Sequence, residues 1–499
     1  MQQHDVIIRK ANNVFIQVVS DPSIRMGLSE HFARYVKGYQ FQPKYKARVW
    51  DGKIRFFNYQ TGHIYCGLIK DVLEYCKDSG LTVSLEDDVK GLFSFESDIV
   101  NFVDNLDLTA HGEKIELRDY QRKAIEVCIS QKRKLIQSPT SSGKSSIIYG
   151  ISKYLVDEVF EDNEKVLIVV PTINLVTQLK SDFKDYSSAN QWPVDELVGL
   201  IGGGNKETNK SIIISTWQSI YKKDAEWFEQ FRALIVDEVH LATAASIVGI
   251  GKKCDAEFRI GLSGSINEDD ETAELTLKGL FGFKMVTTTT KKLMDEGTVA
   301  KLKINCVHIK YEDKVDLVKD YAKEIDWIVR QENRNKFTID LANQLDGNVL
   351  ILFSLVEKHG KPLLELAKKQ GKEVYFVYGG TEADQRENIR KLAEAHKGCL
   401  IVASYKTFST GVNIRNIRHI IFASPTKSFS RVIQSIGRGL RTSATKTHCD
   451  VYDLFDEIYG NQKDPNTYNF AFKHFLERVK IYIKEGFEYS IEKIHLKNT

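Results

Sequence analysis

Three short segments of this chain carry residues suited to the hydrolysis of a nucleoside triphosphate. They read S-P-T-S-S-G-K-S at 138–145, A-L-I-V-D-E-V-H at 233–240 and Q-S-I-G-R-G-L-R at 434–441. A loop of the first kind holds phosphates through backbone N–H groups and its lysine, whereas a carboxylate pair can hold Mg²⁺ and activate water. Arginines from a distant part of a sequence can neutralise the charge of the transferred phosphate. Together the segments predict ATP hydrolysis in a cleft between two lobes.

The first segment predicts a phosphate loop between a strand and a helix. Lys144 is expected on the phosphates and Ser145 on Mg²⁺, with the loop amides completing the cradle. The residues of this loop predicted to bind the nucleotide are Thr140, Ser142, Gly143, Lys144 and Ser145. Ser138 and Ser141 stand where such loops usually carry glycine. Taken alone, the segment could be a serine-rich turn that ends in Gly-Lys by chance, and the two later segments argue against that interpretation.

The acidic pair follows an apolar stretch, Leu234 to Val236, that is predicted to be a strand. Parallel strands deliver the residues after their carboxyl ends to the ligand crevice. Asp237 is therefore expected to hold Mg²⁺, usually through water, and Glu238 to orient and deprotonate the attacking water. The alternative is an acidic pair on a solvated surface. The position of Asp237 and Glu238, after an apolar strand and downstream of a phosphate loop, favours the catalytic interpretation.

Two arginines near the end of the third segment form the last part of the predicted catalytic set. Arg438 and Arg441 are three residues apart, so a helix would project both from one face. We expect them to act as arginine fingers supplied by the second lobe. Gln434, one turn earlier, completes the spaced pattern. The alternative is a solvated basic face of a helix.

Composition sets the outer limits of the protein. The chain has 499 residues, 42% apolar and 27% charged, which fits about three soluble domains of ~100–200 residues each. No apolar run approaches the ~18 residues that span a bilayer, and the first residues lack a secretory core, so we expect no membrane and a cytoplasmic location, in the host cell if a phage encodes the chain. The seven cysteines form no C-x-x-C pair and predict reduced, buried thiols rather than zinc. The net charge of +3 leaves any nucleic-acid surface to local patches.

The order of apolar runs predicts an α/β protein with two tandem parallel-sheet lobes, a small N-terminal α/β domain and a short C-terminal helical extension. Strand-length runs alternate with helix-length amphipathic stretches twice in succession, the pattern of parallel sheets covered on both faces. The expected domains are 1–110, 111–300, 301–460 and 461–499. The acidic run 98–107 is expected to be a linker, and 54–59 a strand of the first domain. The predicted lobe strands are 134–137, 166–170, 212–215, 234–236, 259–262, 349–353, 374–377, 399–402, 419–422 and 450–454.

The N-terminal segment holds a dense mixture of cations and aromatic rings. Between Arg34 and Arg55 there are seven basic residues and one acidic residue, interleaved with four further tyrosine and phenylalanine residues and Trp50. Cations contact phosphates without regard to sequence, and aromatic rings can stack on exposed bases. The predicted nucleic-acid contacts here are Lys44, Lys46, Arg48 and Trp50. The alternative is that the rings form the core of this domain and the cations merely solvate it.

The ordered motifs of the chain resemble those of superfamily 2 helicases of the D-E-x-H type. The resemblance runs from about 117 to 441 and rests on L-R-D-Y-Q at 117–121, the loop at 138–145, V-P-T at 170–172, S-T-W-Q at 215–218, D-E-V-H at 237–240, L-S-G-S at 262–265, F-S-T-G at 408–411 and the segment 434–441. It implies two RecA-like lobes. It also implies that Gln121 recognises adenine with support from Arg118, and that Ser263 and Ser265 couple the nucleotide state to the lobes.

The same resemblance implies residues that contact nucleic acid and the nucleotide in both lobes. The expected backbone contacts are Pro171, Thr172, Gly203, Thr216, Ser354 and Thr410. Gly411 is expected near the nucleotide. Asn413 departs from the family, in which many members carry an acidic residue near the ribose. The departure affects the expected nucleotide affinity rather than the expected reaction.

A second resemblance lies outside the two lobes. The stretch F-Q-P-K-Y-K-A-R-V-W-D-G-K-I-R-F at 41–56 is similar to the N-terminal domain of phage recombination helicases. Such proteins are DNA-dependent ATPases that unwind and migrate branched DNA, including forks and four-way junctions, and clear RNA–DNA hybrids. The resemblance implies ATP and Mg²⁺, single-stranded and branched DNA as partners, 3′ to 5′ movement, and a monomer or transient oligomer. Recombination and single-strand-binding proteins are candidate partners.

Two other functions stay open at this stage. One is an RNA helicase, and the other is a duplex translocase that remodels protein–DNA complexes without separating strands. A non-catalytic binding module would need a degraded site, and the presence of Lys144, Asp237, Glu238, Arg438 and Arg441 argues against it.

Overall fold

The computed structural model describes most of the chain as two compact units. The structure describes residues 4–498 except 111, 241–243, 265, 267–269, 313–319, 397, 412–413, 415, 427, 429–431, 433–434, 438–439, 441–445 and 460–466. The first unit comprises 1–138 and 143–287, and the second comprises 139–142 and 288–499. The first unit contains the N-terminal domain and the first lobe, and the second contains the second lobe.

Strands and helices alternate through both lobes. The strands are β1 Val6–Lys10, β2 Phe15–Ser20, β3 Ala33–Tyr35, β4 Lys53–Arg55, β5 His63–Tyr65, β6 Val83–Leu85, β7 Leu108–Ala110, β8 Glu113–Ile115, β9 Arg133–Gln137, β10 Lys165–Val170, β11 Val198–Gly202, β12 Asn205–Lys206, β13 Ile212–Thr216, β14 Phe231–Val236, β15 Phe258–Ser263, β16 Lys284–Val286, β17 Lys301–Tyr311, β18 Asn348–Phe353, β19 Val374–Val377, β20 Leu400–Ser404, β21 Ile417–Phe422, β22 His448–Glu457 and β23 Glu488–Leu496.

The helices are α1 Pro22–His31, α2 Pro43–Lys46, α3 Ile69–Asp78, α4 Asp87–Lys90, α5 Ile99–Asp104, α6 Asp119–Gln131, α7 Lys144–Tyr154, α8 Ile173–Tyr186, α9 Val194–Leu197, α10 Trp217–Ile220, α11 Ala225–Phe228, α12 Ala244–Lys253, α13 Glu271–Phe281, α14 Thr290–Asp295, α15 Tyr321–Arg330, α16 Glu332–Gln344, α17 Lys361–Lys368, α18 Ala383–Ala395, α19 Tyr405–Gly411 and α20 Phe470–Glu485. Short 3-10 turns cover Tyr39–Phe41 and Cys66–Leu68, and π turns cover Leu155–Val159 and Val356–Gly360.

The N-terminal domain is a small sheet with helices. Its strand order is β5-β2-β1-β6, with β1 antiparallel to β2 and parallel to β6. The predicted strand at 54–59 is wrong beyond Arg55, where β4 ends. Asn58 explains the early end, because its side-chain oxygen accepts hydrogen bonds from the backbone N–H groups of Gln60 and Thr61 at 2.9 and 3.1 Å and closes a turn.

The first lobe is built on an eight-stranded sheet in the order β12-β11-β13-β10-β14-β15-β9-β16. Every neighbouring pair is parallel except β11 with β12. The central strands are continuous apolar runs such as I-V-V at 168–170, because helices cover both faces of the sheet. The strands predicted for this lobe from the sequence are confirmed.

One hydrophobic core runs through the N-terminal domain and the first lobe. It joins Val6, Ile16 and Leu68 to Leu135 and Phe281 without a break. The Lys278 ammonium on α13 donates to Asp71 on α3, at 2.5 Å, and Asn13 binds Asp255 through two hydrogen bonds of 2.7 and 2.9 Å. A Cβ on Gly67 would collide with the backbone of α13, so the close approach of the two parts requires glycine there.

The run 98–107, expected to be a linker, is part of the first lobe. It forms α5, whose Ile99 and Val103 are buried in the second hydrophobic core of this lobe. The hairpin of β7 and β8 follows, and Asn190 donates to the backbone oxygen of Asp107 at 2.8 Å. The acidic composition misled the prediction, because only two apolar side chains on one face are needed to bury so short a helix.

The second lobe has a seven-stranded sheet in the order β19-β20-β18-β21-β22-β17-β23. The sequence predicted α20 but missed β23, which follows Gly486 and pairs in parallel with β17 from Lys303 to Tyr311. Two ion pairs that are almost completely buried join helices to β22, namely Arg334 with Asp456 at 2.7 Å and Arg478 with Asp453 at 2.8 Å. Removal of one member of such a pair leaves a buried charge without its partner and strongly destabilises a protein.

Helix α20 is fixed at its first turn by a buried carboxylate. Glu324 on α15 accepts hydrogen bonds from the backbone N–H groups of Phe470 and Ala471 at 2.9 and 2.6 Å, and from the side chain of Asn469 at 3.0 Å. A carboxylate at this position satisfies amides that the helix itself cannot pair and complements its dipole. The C-terminal segment is therefore built into the second lobe.

All seven cysteines are buried free thiols, as the sequence predicted. None of the helices in the described part of the chain combines the length and apolar character needed to cross a bilayer.

Candidate nucleotide and nucleic-acid sites

The predicted site residues of the first lobe lie along one edge of its sheet. Six adjacent strands, β11, β13, β10, β14, β15 and β9, end there in that order. The ends of the first three carry the expected nucleic-acid contacts, and the ends of the last three carry the expected nucleotide contacts. The carboxyl edge of a parallel sheet is the usual place for ligands in α/β folds.

The phosphate loop leaves β9 and leads into α7. Ser138 is fully buried, and its backbone N–H donates to the Ser263 carbonyl at 2.9 Å, while its hydroxyl accepts from Thr287 at 2.8 Å. Ser141 and Gly143 have φ angles of +67° and +82°, and a Cβ on Gly143 would collide with the side chain of Gln121. Glycine is therefore required at 143, whereas Ser141 adopts the left-handed conformation despite its side chain.

Lys144 is the first residue of α7 and points along the loop. Its ammonium donates to the Ser138 carbonyl at 3.3 Å and lies 3.3 Å from Glu238 Oε1. Both side chains are mostly buried, with exposed fractions of 12% and 16%. The lysine thus neutralises the predicted base while it lies where phosphates are expected.

The acidic pair directly follows β14. The Asp237 N–H continues the ladder to the Val169 carbonyl at 2.9 Å, and Asp237 Oδ1 accepts from the Glu238 N–H at 2.9 Å. Glu238 has a φ of +48°, a conformation that residues with a side chain rarely adopt, and strain of this kind is concentrated at functional sites. The turn brings both carboxylates to the edge of the sheet.

Their electrostatics differ although they are neighbours in sequence. Burial and the adjacent Glu238 raise the pKa of Asp237 to about 7. Burial opposes the ionisation of Glu238 as well, but Lys144 and His240 outweigh it and lower its pKa. Glu238 is thus ionised at neutral pH and suited to accept a proton, whereas Asp237 lacks a full counter-charge.

His240 links the acidic pair to β15. Its Nδ1 lies 2.6 Å from the Ser263 hydroxyl and 3.4 Å from Glu238 Oε2. Burial lowers the pKa of His240, which keeps the ring neutral near pH 7. The imidazole therefore connects the predicted base to the first serine of the S-G-S segment.

The donor set fits a small divalent cation. Ser145 and Asp237 offer a hydroxyl and a carboxylate, the oxygen ligands that Mg²⁺ prefers. Glu238 Oε2 is buried and accepts no hydrogen bond among the described residues. No cluster of three or more His, Cys, Asp or Glu side chains suited to a metal occurs in the described part of the chain.

Gln121 lies against the phosphate loop, as its place in the motif implies. Its Oε1 accepts from the Arg118 backbone N–H at 2.8 Å at the start of α6, and its Nε2 donates to the Ser146 hydroxyl at 3.3 Å. The guanidinium of Arg118 donates to the Tyr120 hydroxyl at 2.9 Å. The structure thus places Gln121 and Arg118 beside the loop, and recognition of adenine stays a prediction.

The expected nucleic-acid contacts of this lobe form a second group along the same edge. Thr172 precedes α8, Thr216 ends β13 and bonds to the Ser219 hydroxyl at 2.9 Å, and Gly203 lies in a turn after β11. Three successive glycines of this turn have positive φ angles. A Cβ on Gly203 would lie 2.9 Å from the Ile173 side chain, so the turn packs closely on the start of α8.

The basic and aromatic patch of the N-terminal domain lies at the surface. Tyr35 stacks on Tyr39 at 4.6 Å, and Tyr39 meets Tyr45 edge to face at 4.7 Å, but none of the three belongs to the hydrophobic core. Phe41 is 74% exposed. Trp50 is partly buried, and its indole N–H donates to the Lys53 carbonyl at 2.8 Å. The alternative, in which these rings form the core of the domain, is therefore contradicted.

Two of the predicted cations of this patch, Lys46 and Arg48, border an open groove. The groove of about 590 Å³ is lined by Gln40, Tyr45, Lys46, Arg48, Val49, Trp50 and Asp51. Lys44 and Lys46 lie on α2, and Arg48 follows with a φ of +58°. All three cations are exposed.

Three family models match the chain in sequence order. The model described as DNA helicase UvsW, N-terminal, matches residues 5–87, that of Type III restriction enzyme, res subunit, matches 114–268, and that of the Helicase conserved C-terminal domain matches 333–443. The ATP-dependent DNA helicase uvsW of Enterobacteria phage T4 is 33% identical over 488 residues, which cover 94% of this chain and 95% of that protein. The chain belongs to the UvsW family of superfamily 2 helicases.

Two further comparisons found similar proteins. The crystal structure of T4 UvsW aligns with a TM-score of 0.52 and 29% identity, covering 98% of this chain and 99% of that one. The DNA 3'-5' translocase XPB2 of Sulfurisphaera tokodaii is 33% identical over 175 residues, 35% of this chain and 36% of that protein. The predicted family, and the predicted fold of two RecA-like lobes with a small N-terminal domain, are confirmed.

Several predicted site residues of this UvsW-family chain lie outside the described residues or are described only in part. Ser354 follows β18, and its backbone N–H donates to the Ser424 hydroxyl at 3.0 Å. Thr410 and Gly411 lie in α19, without a described side chain for Thr410. Outside the described residues are Ser265, Asn413, Gln434, Arg438 and Arg441. Their roles stay predictions.

Sequence reasoning missed two residues that touch the nucleotide loop. Tyr186 hydrogen-bonds to Ser145 at 2.7 Å, and Thr287 holds Ser138. Burial raises the pKa of Tyr186 to about 12, so the phenol stays neutral. Neither residue stands in a recognisable motif, and only the packing of α8 and β16 beside the loop reveals them.

Proposed function

We propose that this chain is an ATP-dependent DNA helicase that unwinds and branch-migrates forked and four-way DNA in recombination, replication and repair, and that also acts on RNA–DNA hybrids. One observation carries the proposal. A single sheet edge holds the phosphate loop and the acidic pair directly beside the nucleic-acid contacts expected in the first lobe, and a continuous core joins the N-terminal domain, which carries the patch, to the same lobe. The names of the similar proteins support ATP and DNA as its partners.

The residues of the first lobe suggest how hydrolysis proceeds. In this structure Lys144 pairs with Glu238 at 3.3 Å, so nucleotide phosphates would compete for the lysine and release the carboxylate. Glu238, ionised at neutral pH, would then accept a proton from the attacking water. Ser145 and Asp237 would hold Mg²⁺, which supplies neutralisation of the phosphate charge. Arg438 and Arg441 are proposed to stabilise the γ-phosphate as its bond breaks.

A motor that grips one strand needs a further contact to distinguish a junction from a single strand. The exposed patch of Lys44, Lys46, Arg48 and the neighbouring aromatic rings is proposed as that contact. Its cations would bind phosphates, and Phe41, which projects into solvent, would stack on bases exposed at the branch point.

The proposal is tested with one set of substrates. ATPase rate and binding are measured side by side with single-stranded DNA, duplex, a four-way junction and RNA. The highest stimulation is expected with DNA, and a preference for RNA would refute the proposed substrate.

The patch is tested with the triple variant Lys44→Ala, Lys46→Ala, Arg48→Ala. Each lost phosphate contact lowers the salt dependence of junction binding by ~0.9 in logarithmic slope, so the triple variant should lose up to ~2.7 while keeping stimulation by single strands. The matched control is Lys361→Ala, Lys368→Ala, Lys480→Ala, which removes three exposed lysines of the second lobe. Equal junction affinity and slope in both triple variants would refute the role of the patch.

A further inference from the structure

The hydroxyl of Ser145, the residue proposed to hold Mg²⁺, has a partner in another helix. The distance from Ser145 Oγ to the Tyr186 hydroxyl is 2.7 Å, and either oxygen can be the donor. Ser145 is in the first turn of α7, while Tyr186 is the last residue of α8. The first turn of α8 follows Thr172, one of the expected nucleic-acid contacts. One helix therefore has its start at the nucleic-acid group and its end at the nucleotide group.

The position of the Tyr186 hydroxyl is fixed by its surroundings. The ring packs edge to face on Tyr149 at 5.6 Å, and Tyr149 packs in the same way on Phe183 at 5.2 Å and on Trp192 at 5.4 Å. The chain around Tyr186 is held as well, because the Thr109 hydroxyl donates to the Asp185 carbonyl and lies 2.6 Å from the Ser188 hydroxyl. A phenol held this firmly can orient the small hydroxyl that it touches.

We propose that Tyr186 is a positioning residue that orients the Ser145 hydroxyl for the cation, an inference that rests on the proposed use of Mg²⁺-ATP. Through this contact, Tyr186 couples cation binding to the nucleic-acid end of α8. Coordination of a cation polarises the O–H bond of a serine and makes it a better donor. Ser145 would then donate to Tyr186 and keep a lone pair for the cation. The hydrogen bond between the two helices would be stronger with the cation bound, which would tie the position of α8 to the loaded state of the loop.

The coupling must act in both directions. A helix of this length spans ~21 Å, so a small shift at Tyr186 can be carried to Thr172 as a rigid-body movement. If Mg²⁺ and nucleotide change the affinity of this end for a DNA strand by some factor, the strand changes the affinity for Mg²⁺ and nucleotide by the same factor. The Tyr186 hydroxyl is the part of this link that a single substitution can remove.

The test compares Tyr186→Phe with Tyr149→Phe in the full-length protein. Both substitutions remove one phenolic hydroxyl from the same aromatic cluster, but the Tyr149 hydroxyl accepts a hydrogen bond from Asn190 at 3.3 Å. The readout is the binding of a fluorescent ADP analogue as a function of Mg²⁺ concentration, with and without single-stranded DNA. Thermal melting shows whether each variant is folded.

For Tyr186→Phe we expect the Mg²⁺ concentration at half-maximal binding to rise ~3–10-fold, the size of one lost hydrogen bond. Binding in EDTA should not change, and the effect of DNA on the Mg²⁺ half-point should shrink. Tyr149→Phe should behave as the wild type. In a Ser145→Ala background, Tyr186→Phe should add nothing, since its partner is gone.

Three results would overturn the inference. They are an unchanged Mg²⁺ half-point in Tyr186→Phe, the same shift in Tyr149→Phe, and a full effect of Tyr186→Phe in the Ser145→Ala background. Each leaves the proposed function intact, provided that the wild type binds the analogue in a Mg²⁺-dependent way. A wild type that binds it equally in EDTA would refute the proposed Mg²⁺ site and, with it, the inference.

Discussion

The raised pKa of Asp237, the predicted Mg²⁺ ligand, predicts that its carboxylate destabilises the protein without ligand. In the unfolded chain Asp237 has its ordinary pKa of 3.8, whereas folding raises the pKa of this group to about 7. An acid whose pKa is raised by folding weakens stability as the pH rises from the lower value to the upper one. The penalty begins near pH 4, grows up to pH 7 and is constant above it.

The size of the effect follows from the shift. At ~1.4 kcal/mol per pKa unit, the full penalty is about 4 kcal/mol above pH 7, and less than half of it is present at pH 5. Asp237→Asn removes the charge and keeps the shape, so the variant should be more stable than the wild type at pH 8. At ~2 °C per kcal/mol for a unit of this size, its melting temperature should lie up to about 8 °C higher.

The assay is thermal melting of both proteins at pH 5, 6, 7 and 8, without nucleotide and without Mg²⁺. The difference between the two melting temperatures reports Asp237 together with its interaction with Glu238, because the remaining groups titrate in both proteins. It should widen from pH 5 to pH 7 and then stay constant. Adding Mg²⁺ and ADP should stabilise the wild type and narrow the difference, since a cation compensates the carboxylate. A difference that is zero, or that does not depend on pH, would refute the electrostatic reasoning.

Three further predictions concern other parts of the protein. Glu238→Gln should retain nucleotide binding and lose turnover, because it keeps the size of the base and removes its charge. Lys144→Ala should lose nucleotide binding. Rapid ATP hydrolysis by Glu238→Gln would contradict the assignment of Glu238 as the base. Arg438→Ala and Arg441→Ala should each lower kcat by ~10³–10⁵ with little change in ATP affinity, and a variant that loses only affinity is not a finger. Gly67→Ala should destabilise the first unit by more than ~3 kcal/mol, because the added Cβ has no room against the backbone of α13. An unchanged melting temperature would show that the contact between Gly67 and α13 can adjust to the added Cβ.

Much of the fold could be predicted because the signal is local. Buried parallel strands are continuous apolar runs, so stretches such as Val166–Val170 and Ile212–Ser215 reveal themselves without knowledge of their partners. The phosphate loop and the acidic pair could also be predicted, because their chemistry requires residues that are close in sequence. In the structure Lys144 and Glu238 of these two segments lie 3.3 Å apart, and their roles stay predictions.

Features that depend on distant partners could not be predicted. The alternation of apolar and polar residues in Glu488–Leu496 is compatible with a strand, but only the free edge of β17 makes it one. The run 98–107 is acidic, yet two of its apolar side chains reach the core of the lobe. Tyr186 gives no signal in the sequence, since its role arises from where α8 ends relative to α7.

The continuous core beneath residues 6–92 has a consequence for how this protein can be taken apart. The chain cannot be truncated between residues 92 and 119 without damage to the first lobe. Removal of the N-terminal residues would expose apolar side chains such as Leu135 and Phe281 to water. Exchange of the N-terminal domain between relatives would succeed only if the face of α13 that packs against it were exchanged as well. In evolutionary terms, selection on the basic and aromatic patch and selection on the first lobe would act on one block with a shared core rather than on two modules that recombine freely.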